Sequence, residues 1–485
     1  MKHVDVLIMG NGVLGLLLAD ELAGRGDRSV AVVGPRRRER GASQAAGAML
    51  GCFAEVTTDT LSTAPGRARF ETALSAHGRW PGLLRRLEAT SRTSNPPHGT
   101  RPSPPIRVAT DTHVLLNTSG SALDSANFAA MLDALVSHQA DWAEVDPATI
   151  PGYNPRPHRR ALRAVRLAGE GAVDSRRVLD TLAVQVEQSG VLLVDGTVSE
   201  LLTAQADVCG VRLADGRTIE AGTVVAAAGA DSRALAEDLL APPEMMPMFA
   251  GRGLAVVGQR TLGHPFDSVV RTPNRAFACG LHVVPLGGGR EYLGATNSLV
   301  PSTARNPALF DVQFLIDSAM RQLDEGIAHH DVAEWRTGHR PVSLDGFPLV
   351  GWSTRPGLYF MTGTYRDGFH TGPVLAEHAA NELEGKPGIL DPMFSPTRLP
   401  IRTRTVEESV AAYVKHSLAA WFETGTEVAA HVPTATLATM FANRATALYD
   451  RLGIDYGLPP EVVAYALYQP AHAAGISAYF TAIGQ

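Results

Sequence analysis

The chain has 485 residues, of which 45% are hydrophobic and 19% are charged, and its formal net charge is −6. This composition is typical of a globular protein with two or three domains, and it excludes a disordered or low-complexity chain. The negative net charge also argues against nucleic acid as the main partner.

The chain contains three cysteines, Cys52, Cys209 and Cys279. Their spacing fits neither a metal site nor a disulfide framework, and His416, His431 and His472 lack the i, i+4 spacing of ligands on one helix face. We therefore predict no metal site. No apolar run reaches the ~18 residues that span a membrane, and no secretory segment precedes the first apolar strand. We expect a cytoplasmic protein that needs no membrane partner.

The first elements alternate strand, glycine loop, helix and strand. We predict a strand at 4–9, a helix at 13–22 that ends at Gly24 and Gly26, and a strand at 30–33. The loop Gly10-Asn11-Gly12-Val13-Leu14-Gly15 joins the first strand to the helix. In this context the glycines let the backbone approach a pyrophosphate at the helix N-terminus, as in a dinucleotide-binding βαβ unit.

The end of the second strand departs from that pattern. About twenty residues after the glycine loop, such units normally have an acidic residue for the ribose. Here Gly34 and Pro35 precede Arg36, Arg37 and Arg38. Arginines at this place can bind the 2′-phosphate of NADP or form a solvated loop, and this stretch alone leaves both readings open.

The middle of the chain predicts further helices and short strands. Residues 91–106 are rich in Pro, Ser and Thr, which indicates a surface loop or a domain crossing. We predict a helix at 123–139 capped by Asp124 or Ser125, and one at 175–188 capped by Asp174. Short strands are predicted at 191–194, 211–213 and 223–227.

Several stretches carry a recognisable pattern in a fixed order. They are GASQAAGAML (41–50), GAVDSRRVLDTLAVQVEQSGVLLVDGTVSEL (171–201), GVRLADGRTIEAGTVVAAAGADS (210–232), LHVVPLGGGREYLGAT (281–296), GHRPVSLDGFPLVG (338–351) and GLYFMTGTYRDGFHTGPVLAEHAA (357–380). Together with the glycine loop they resemble the D-amino-acid oxidase superfamily of FAD enzymes, and most nearly its glycine oxidase branch. The resemblance covers residues 1 to about 390.

The resemblance implies an α/β fold, an α+β two-domain flavoprotein. Residues 1–80, 160–240 and 336–395 are expected to form a Rossmann-type FAD-binding domain, and residues 81–159 and 241–335 a mixed-sheet substrate domain. Residues 396–485 lie outside this core, and their amphipathic patterns predict an appended α-helical domain. That domain could dock on its own chain, cover the active-site mouth or form a homodimer.

The resemblance favours FAD over NADP and implies a set of cofactor-binding residues. These are Gly10, Gly12, Val13, Leu14 and Gly15 for the pyrophosphate, Ser43, Ala46, Gly47 and Met49 for the flavin, Val198 for the adenine side, Ala228 and Gly229 for the ribityl side, Arg366, Asp367, Gly368, Phe369, His370 and Thr371 in the last turn, and Arg340. The family usually has Glu where Gly34 stands, so we expect Gly34→Glu to tighten FAD binding. Relatives similar to sarcosine oxidase attach FAD through a cysteine, which is missing between Trp335 and Gly351, so the FAD is expected to be non-covalent.

The expected catalytic residues are Arg340, Arg366, His282 and His370. By resemblance Arg340 binds the substrate carboxylate, and a planar guanidinium suits that task because it can hold a carboxylate with two parallel hydrogen bonds. The alternative is a structural turn arginine. Arg366 could serve the substrate, the flavin or its own loop, and each histidine could contact the substrate or be purely structural.

The reaction implied is the oxidation of the C–N bond of a small amino acid or an N-substituted glycine. A hydride passes from the α-carbon to flavin N5, the imine is hydrolysed, and oxygen reoxidises the flavin to give hydrogen peroxide. Partners would be the small substrate and oxygen, and the extra domain suggests a specialised, biosynthetic substrate. Two alternatives stay open: an FAD-dependent amine dehydrogenase with another electron acceptor, and a flavin-binding subunit of a larger complex.

Overall fold

The computed structural model describes residues 2–26, 28–94, 105–236, 239–240, 244–277, 280–303, 306–424 and 431–484. Within these ranges the chain forms two large β-sheets and a two-stranded sheet, with helices packed around them. Cys279 and residues 95–104 of the predicted loop lie outside the described residues.

The strands alternate between the two large sheets along the chain. In order they are β1 (Lys2–Met9), β2 (Val30–Gly34), β3 (Arg107–Ala109), β4 (Thr112–Asn117), β5 (Trp142–Val145), β6 (Ala161–Leu167), β7 (Ala172–Val173), β8 (Leu192–Asp195), β9 (Val198–Ala204), β10 (Asp207–Leu213), β11 (Thr218–Ala226), β12 (Met248–Gln259), β13 (Val269–Arg271), β14 (His282–Gly287), β15 (Arg290–Gly294), β16 (Ser298–Val300), β17 (Asp331–Ser343), β18 (Leu349–Trp352) and β19 (Leu358–Thr362).

The helices are also numbered in chain order. They are α1 (Val13–Arg25), α2 (Ala42–Ala45), α3 (Ala64–Ser94), α4 (Ala122–Ser137), α5 (Ser175–Gln188), α6 (Ser232–Ala236), α7 (Leu309–Gln322), α8 (Gly368–Leu383), α9 (Val406–Glu423), α10 (Thr434–Leu452), α11 (Pro460–Tyr468) and α12 (Pro470–Ala482).

The first sheet has a parallel centre, and the carboxyl ends of its central strands lie together. Its main order is β18-β19-β11-β1-β2-β8, in which β19, β11, β1, β2 and β8 are parallel, and the hairpin β9–β10 joins β11. The central strands are buried, as expected for parallel strands covered by helices. Because the carboxyl ends of β1, β2 and β11 meet at one edge, the loops after them meet there too.

The second sheet is mixed and carries the longest strand pair. Its main order is β16-β12-β15-β14-β13-β4-β6-β5, and β17 pairs antiparallel with β12. In that register Gly251 lies opposite Arg340, and Gly253 lies opposite Gly338. Together the two sheets confirm the predicted two-domain α/β architecture.

The structure confirms the helix at Ser175–Gln188, where the side chain of Asp174 accepts from Arg176 N at 3.1 Å. The predicted cap of α4 is wrong. Its N-cap is Ser121, whose Oγ accepts from Leu123 N at 3.2 Å, and Asp124 accepts from Ser121 N at 2.9 Å as the other half of a capping box.

Part of the predicted loop at 91–106 is helical. Residues 91–94 form the last turn of α3, a helix of 31 residues that contains Pro81. The boundary predicted at residues 80 and 81 falls inside this helix. Trp80 and Leu84 pack there against the same core as residues of α1 and α8.

The C-terminal helices dock on their own chain, the first of the three predicted arrangements. Tyr413, Phe441 and Leu448 share one hydrophobic core with Leu7 and Val224 of the first sheet. This burial stabilises the helices as part of the same body. In the ranges that the structure describes, we find no helix with the length and apolar character needed to cross a membrane.

Candidate active site

A cavity of about 690 Å³ lies between the second sheet and the carboxyl ends of strands β1, β2 and β11 of the first sheet. The loops after β1, β2 and β11, the short helix α2 and the start of α8 line one side. Residues of β12, β14, β15 and β17 line the other side. This volume lies within the range of small-molecule and cofactor sites.

Most of the predicted site residues meet in the cavity wall. They are Gly10, Gly12, Val13, Leu14, Ser43, Ala46, Gly47, Met49, Val198, Ala228, Gly229, His282, Arg340, Arg366, Asp367, Gly368, Phe369 and His370. Gly15 and Thr371 lie outside the wall. Gly15 is inside α1, where an added Cβ would overlap Gly10 O, and the Thr371 hydroxyl donates to Asp367 O within α8.

The glycine loop forms a cradle that only small residues can make. Gly10 has φ +115°, and a Cβ there would overlap the carbonyl oxygen of Ala227, the residue after the neighbouring strand β11. The N-cap residue Gly12 has no side chain to cap α1, Ser43 Oγ accepts from Val13 N at 3.0 Å, and Gly12, Val13 and Leu14 line the cavity. The positive end of α1 therefore faces the cavity, as an anionic pyrophosphate requires.

The space beside Gly34 is taken by Asn11. A Cβ at Gly34 would overlap the Asn11 side-chain amide, whose Nδ2 donates to Pro35 O at 3.0 Å. Arg38 also lines the cavity and donates from Nε to Asn11 O at 3.1 Å, while it pairs with Asp180 at 2.9 Å. The Asn11 side chain would have to move before Gly34→Glu could tighten cofactor binding, so this position opposes the effect expected from the sequence.

Arg340 lies on β17 at the other end of the cavity. Its Nη1 donates to Thr296 O and to Asn297 Oδ1, both at 3.1 Å. The guanidinium lies over Gly253 of β12, where an added Cβ would be 2.5 Å from Nη1. Two hydrogen-bond acceptors hold this guanidinium in the wall, and the glycine at position 253 leaves the space that it occupies.

Glu55 adds a carboxylate that the sequence did not predict. It ends a short 3₁₀ helix and accepts from Arg271 Nη1 at 2.5 Å and from Asn274 Nδ2 at 3.2 Å, and Arg366 Nη2 lies 3.8 Å away. Burial would raise the pKa of Glu55, but Arg271 and Arg366 outweigh it and lower the pKa to about 2. Glu55 therefore stays anionic and offsets the charge of the buried Arg271.

His282 is a buried, neutral histidine beside these charges. Burial lowers its pKa to about 4, against the opposing effect of the hydrogen bond from Nδ1 to Gly280 O at 2.8 Å. This bond places the proton on Nδ1 and the lone pair on Nε2. The ring stacks on Tyr292 with centroids 5.7 Å apart, and Nε2 lies beside Gly47.

His370 faces a different neighbour. Its Nε2 donates to Ala73 O of α3 at 2.8 Å, and Trp80 Nε1 donates to the carbonyl oxygen of His370 at 2.8 Å. Burial lowers the pKa of this imidazole as well. These contacts fasten the start of α8 to α3, which favours a structural role for the side chain.

Comparison with known proteins identifies the family. The family model described as FAD dependent oxidoreductase matches residues 5–382. The chain belongs to this family. It is an FAD-dependent oxidoreductase, and FAD is its cofactor.

Individual relatives are similar at low identity. The chain is 28% identical over 396 residues to the bifunctional protein ThiO/ThiG of a Nostoc species, a match that covers 81% of this chain and 54% of that protein. It is 27% identical over 413 residues to glycine oxidase of Geobacillus kaustophilus, covering 82% of this chain and 98% of the relative. The chain thus spans about half the length of the bifunctional relatives.

Solved structures share the fold. The crystal structure of Geobacillus kaustophilus glycine oxidase superposes with a TM-score of 0.66 at 22% identity, covering 82% of this chain and 100% of that one. An iminodiacetate oxidase of a Chelativorans species gives a TM-score of 0.65 at 19% identity, covering 81% and 100%. At these identities the likeness concerns the fold.

Two positive helix ends in the cavity wall fit the anionic parts of FAD. The glycine cradle and the α1 N-terminus suit the pyrophosphate, and the N-terminus of α8 adds a second positive helix end to the cavity wall. Arg36 and Arg37 are exposed and lie outside the wall, so they do not favour NADP. Neither Cys52 nor Cys209 lines the cavity.

The sequence did not predict four residues that line the cavity. Asn11 stands inside the glycine motif, where any residue is allowed, and Glu55 follows the GASQAAGAML block without a motif of its own. Gly253 and Tyr292 acquire their roles from strand pairing: Gly253 lies near Arg340, and the Tyr292 hydroxyl donates to Ala45 O at 2.9 Å. Such roles depend on register between distant strands.

Proposed function

We propose that this protein oxidises the C–N bond of a small amino acid or an N-substituted glycine and passes the electrons to oxygen. The observation that carries the proposal is the Arg340 guanidinium, held in the cavity wall by two acceptors beside the neutral His282. Support also comes from the relatives named glycine oxidase, one of which matches along 98% of its length.

Arg340 is proposed to bind the substrate carboxylate. A guanidinium held over Gly253 presents its donors in a fixed plane, and a carboxylate that pairs with it in parallel fixes which C–H bond faces the flavin. Because the pKa of His282 is about 4, this imidazole adds no positive charge near neutral pH. Its Nε2 lone pair can accept a hydrogen bond from a substrate amine.

Glu55 and Arg366 are proposed to form the neighbouring wall. The carboxylate holds Arg271 and faces Arg366, whose Cζ lies 5.4 Å from the centre of the Tyr365 ring. FAD, when bound, takes two electrons from the substrate and passes them to oxygen, which gives hydrogen peroxide. The residues of the wall have to bind the substrate, orient it and exclude water.

A screen of amino acids and N-substituted glycines tests the proposal. Each compound is mixed with the holoenzyme without oxygen, and the loss of the oxidised flavin spectrum is recorded; the reaction is repeated in air with a peroxide assay. We expect at least one compound to bleach the flavin and to give peroxide. Bleaching without peroxide would make the protein a dehydrogenase, and the absence of bleaching by any amine would contradict amine oxidation.

A further inference from the structure

Asn297 lies behind Arg340, outside the cavity wall, and uses its whole side-chain amide in hydrogen bonds. Its Oδ1 accepts from Arg340 Nη1 at 3.1 Å, and its Nδ2 donates to Phe277 O and to Tyr365 Oη, both at 2.7 Å. Because the acceptor and both donor directions are engaged, the amide has a single orientation. Asn297 thereby connects Arg340 to the backbone of Phe277 and to the loop that carries Arg366.

Phe277 is in turn held by helix α9. Its backbone N donates to His416 Nδ1 at 3.1 Å, and the two rings lie 5.3 Å apart. Phe277 has φ +54°, a conformation that a bulky residue keeps only where its surroundings impose it. Burial lowers the pKa of His416, so the neutral ring keeps a lone pair for this N–H. Glu423, at the end of the same helix, accepts from Ala276 N at 3.3 Å.

A second C-terminal helix, α11, packs on the strand that follows Asn297. Strand β16 begins at the next residue, and its Leu299 belongs to the core that includes α11. Tyr465 of α11 packs on Phe249 of β12, with ring centroids 4.7 Å apart. The segment that carries Asn297 therefore lies between two contacts made by the C-terminal helices.

From these contacts we infer that the C-terminal helices support the substrate site from outside the cavity wall, with Asn297 and His416 as positioning residues for Arg340. The inference rests on the proposed function, because it takes Arg340 as the group that binds the substrate carboxylate. A guanidinium binds a carboxylate bidentately only in one plane, and Asn297 fixes that plane from behind. These helices lie beyond residues 5–382, the part that the family model matches, so the contact is an addition to the family core.

The test measures carboxylate binding by the holoenzyme. Acetate is titrated while the spectrum of the bound FAD is followed, and acetamide serves as its uncharged match. We expect Asn297→Ala to raise the Kd of acetate about 10-fold, and His416→Leu about 5-fold. His416→Asn, which keeps a hydrogen-bond acceptor, should stay within about 2-fold of the wild type, as should Lys415→Leu, an exposed neighbour on α9.

Further outcomes separate this inference from the proposed function. If the two residues act through one connection, Asn297→Ala with His416→Leu should bind acetate no more weakly than Asn297→Ala alone. An acetate Kd for His416→Leu equal to that of Lys415→Leu would overturn the inference and leave the proposed function standing. A wild type that does not prefer acetate to acetamide would overturn both. If His416→Leu does not fold, Asn297→Leu carries the test, and an unchanged Kd overturns the inference.

Discussion

A Cβ atom at Gly253 would lie 2.5 Å from Nη1 of Arg340, so this glycine makes room for the guanidinium in the cavity wall. Gly253→Ala should displace the cation while the glycine backbone itself tolerates the change. We expect the KM for carboxylate substrates to rise about 10-fold or more, because overpacking of this kind costs about 1–3 kcal/mol. Steady-state kinetics with an amino acid and with its decarboxylated amine check the effect, and an equal rise for both substrates would contradict it.

Asn11 and Gly34 compete for one space at the ribose end of the cavity. Gly34→Glu should weaken FAD binding about 10-fold or more, because its Cβ overlaps the Asn11 amide. Combining it with Asn11→Gly should restore tighter binding than the single variant shows. Titration of the apoprotein with FAD measures both, and Gly24→Glu, at an exposed glycine with open space around it, is the control. Tighter binding by Gly34→Glu alone would show that Asn11 moves aside without cost.

The FAD should be held without a covalent bond. Neither Cys52 nor Cys209 lines the cavity, and no cysteine occurs between Trp335 and Gly351. Heat or acid denaturation followed by ultrafiltration should move the yellow colour into the filtrate. Flavin that stays with the denatured chain would disprove non-covalent attachment.

Stability should fall on acidification partly through His282. Its pKa is about 4 in the folded protein and 6.5 as the ordinary value, so the unfolded chain binds a proton first as the pH falls. The free energy of unfolding therefore decreases between these two values, by up to about 3 kcal/mol from this residue. Urea unfolding at pH ~7 and pH ~4.5 should show a smaller loss for His282→Gln than for the wild type. His3→Gln, at an exposed residue of β1, should lose as much as the wild type, and parallel losses for all three proteins would disprove the assignment.

The sequence predicted the central strands β1 and β2 of the first sheet and the glycine loop between them. The GxGxxG spacing between an apolar run and an amphipathic segment is a local signal, and it placed Gly10 and Gly12 in the wall. The prediction that Asp174 caps α5 also depended on a local signal. By contrast, Ser121 was missed as the cap of α4, because Asp124 and Ser125 are equally suitable residue types and only backbone geometry distinguishes them.

The substrate end was less accessible to prediction. Arg340 came from a resemblance, but its partners Thr296, Asn297 and Gly253 are brought to it by strand pairing between distant segments. The C-terminal helices showed amphipathic patterns without indicating which surface they would cover. His416 and Phe277 are 139 residues apart in the sequence, so no local pattern marks the pair.

Arg340 is proposed to bind the carboxylate of an amine substrate that the enzyme oxidises. The most direct measurement is the rate at which substrate bleaches the bound flavin without oxygen, in the wild type, Arg340→Ala and Arg340→Lys, with an amino acid and its decarboxylated amine. We predict that Arg340→Ala keeps its FAD but loses about 30- to 1000-fold in kcat/KM for the acid and little for the amine, and that Arg340→Lys recovers little. An equal loss for acid and amine, or loss of FAD from the variants, would show that Arg340 does not bind the substrate carboxylate.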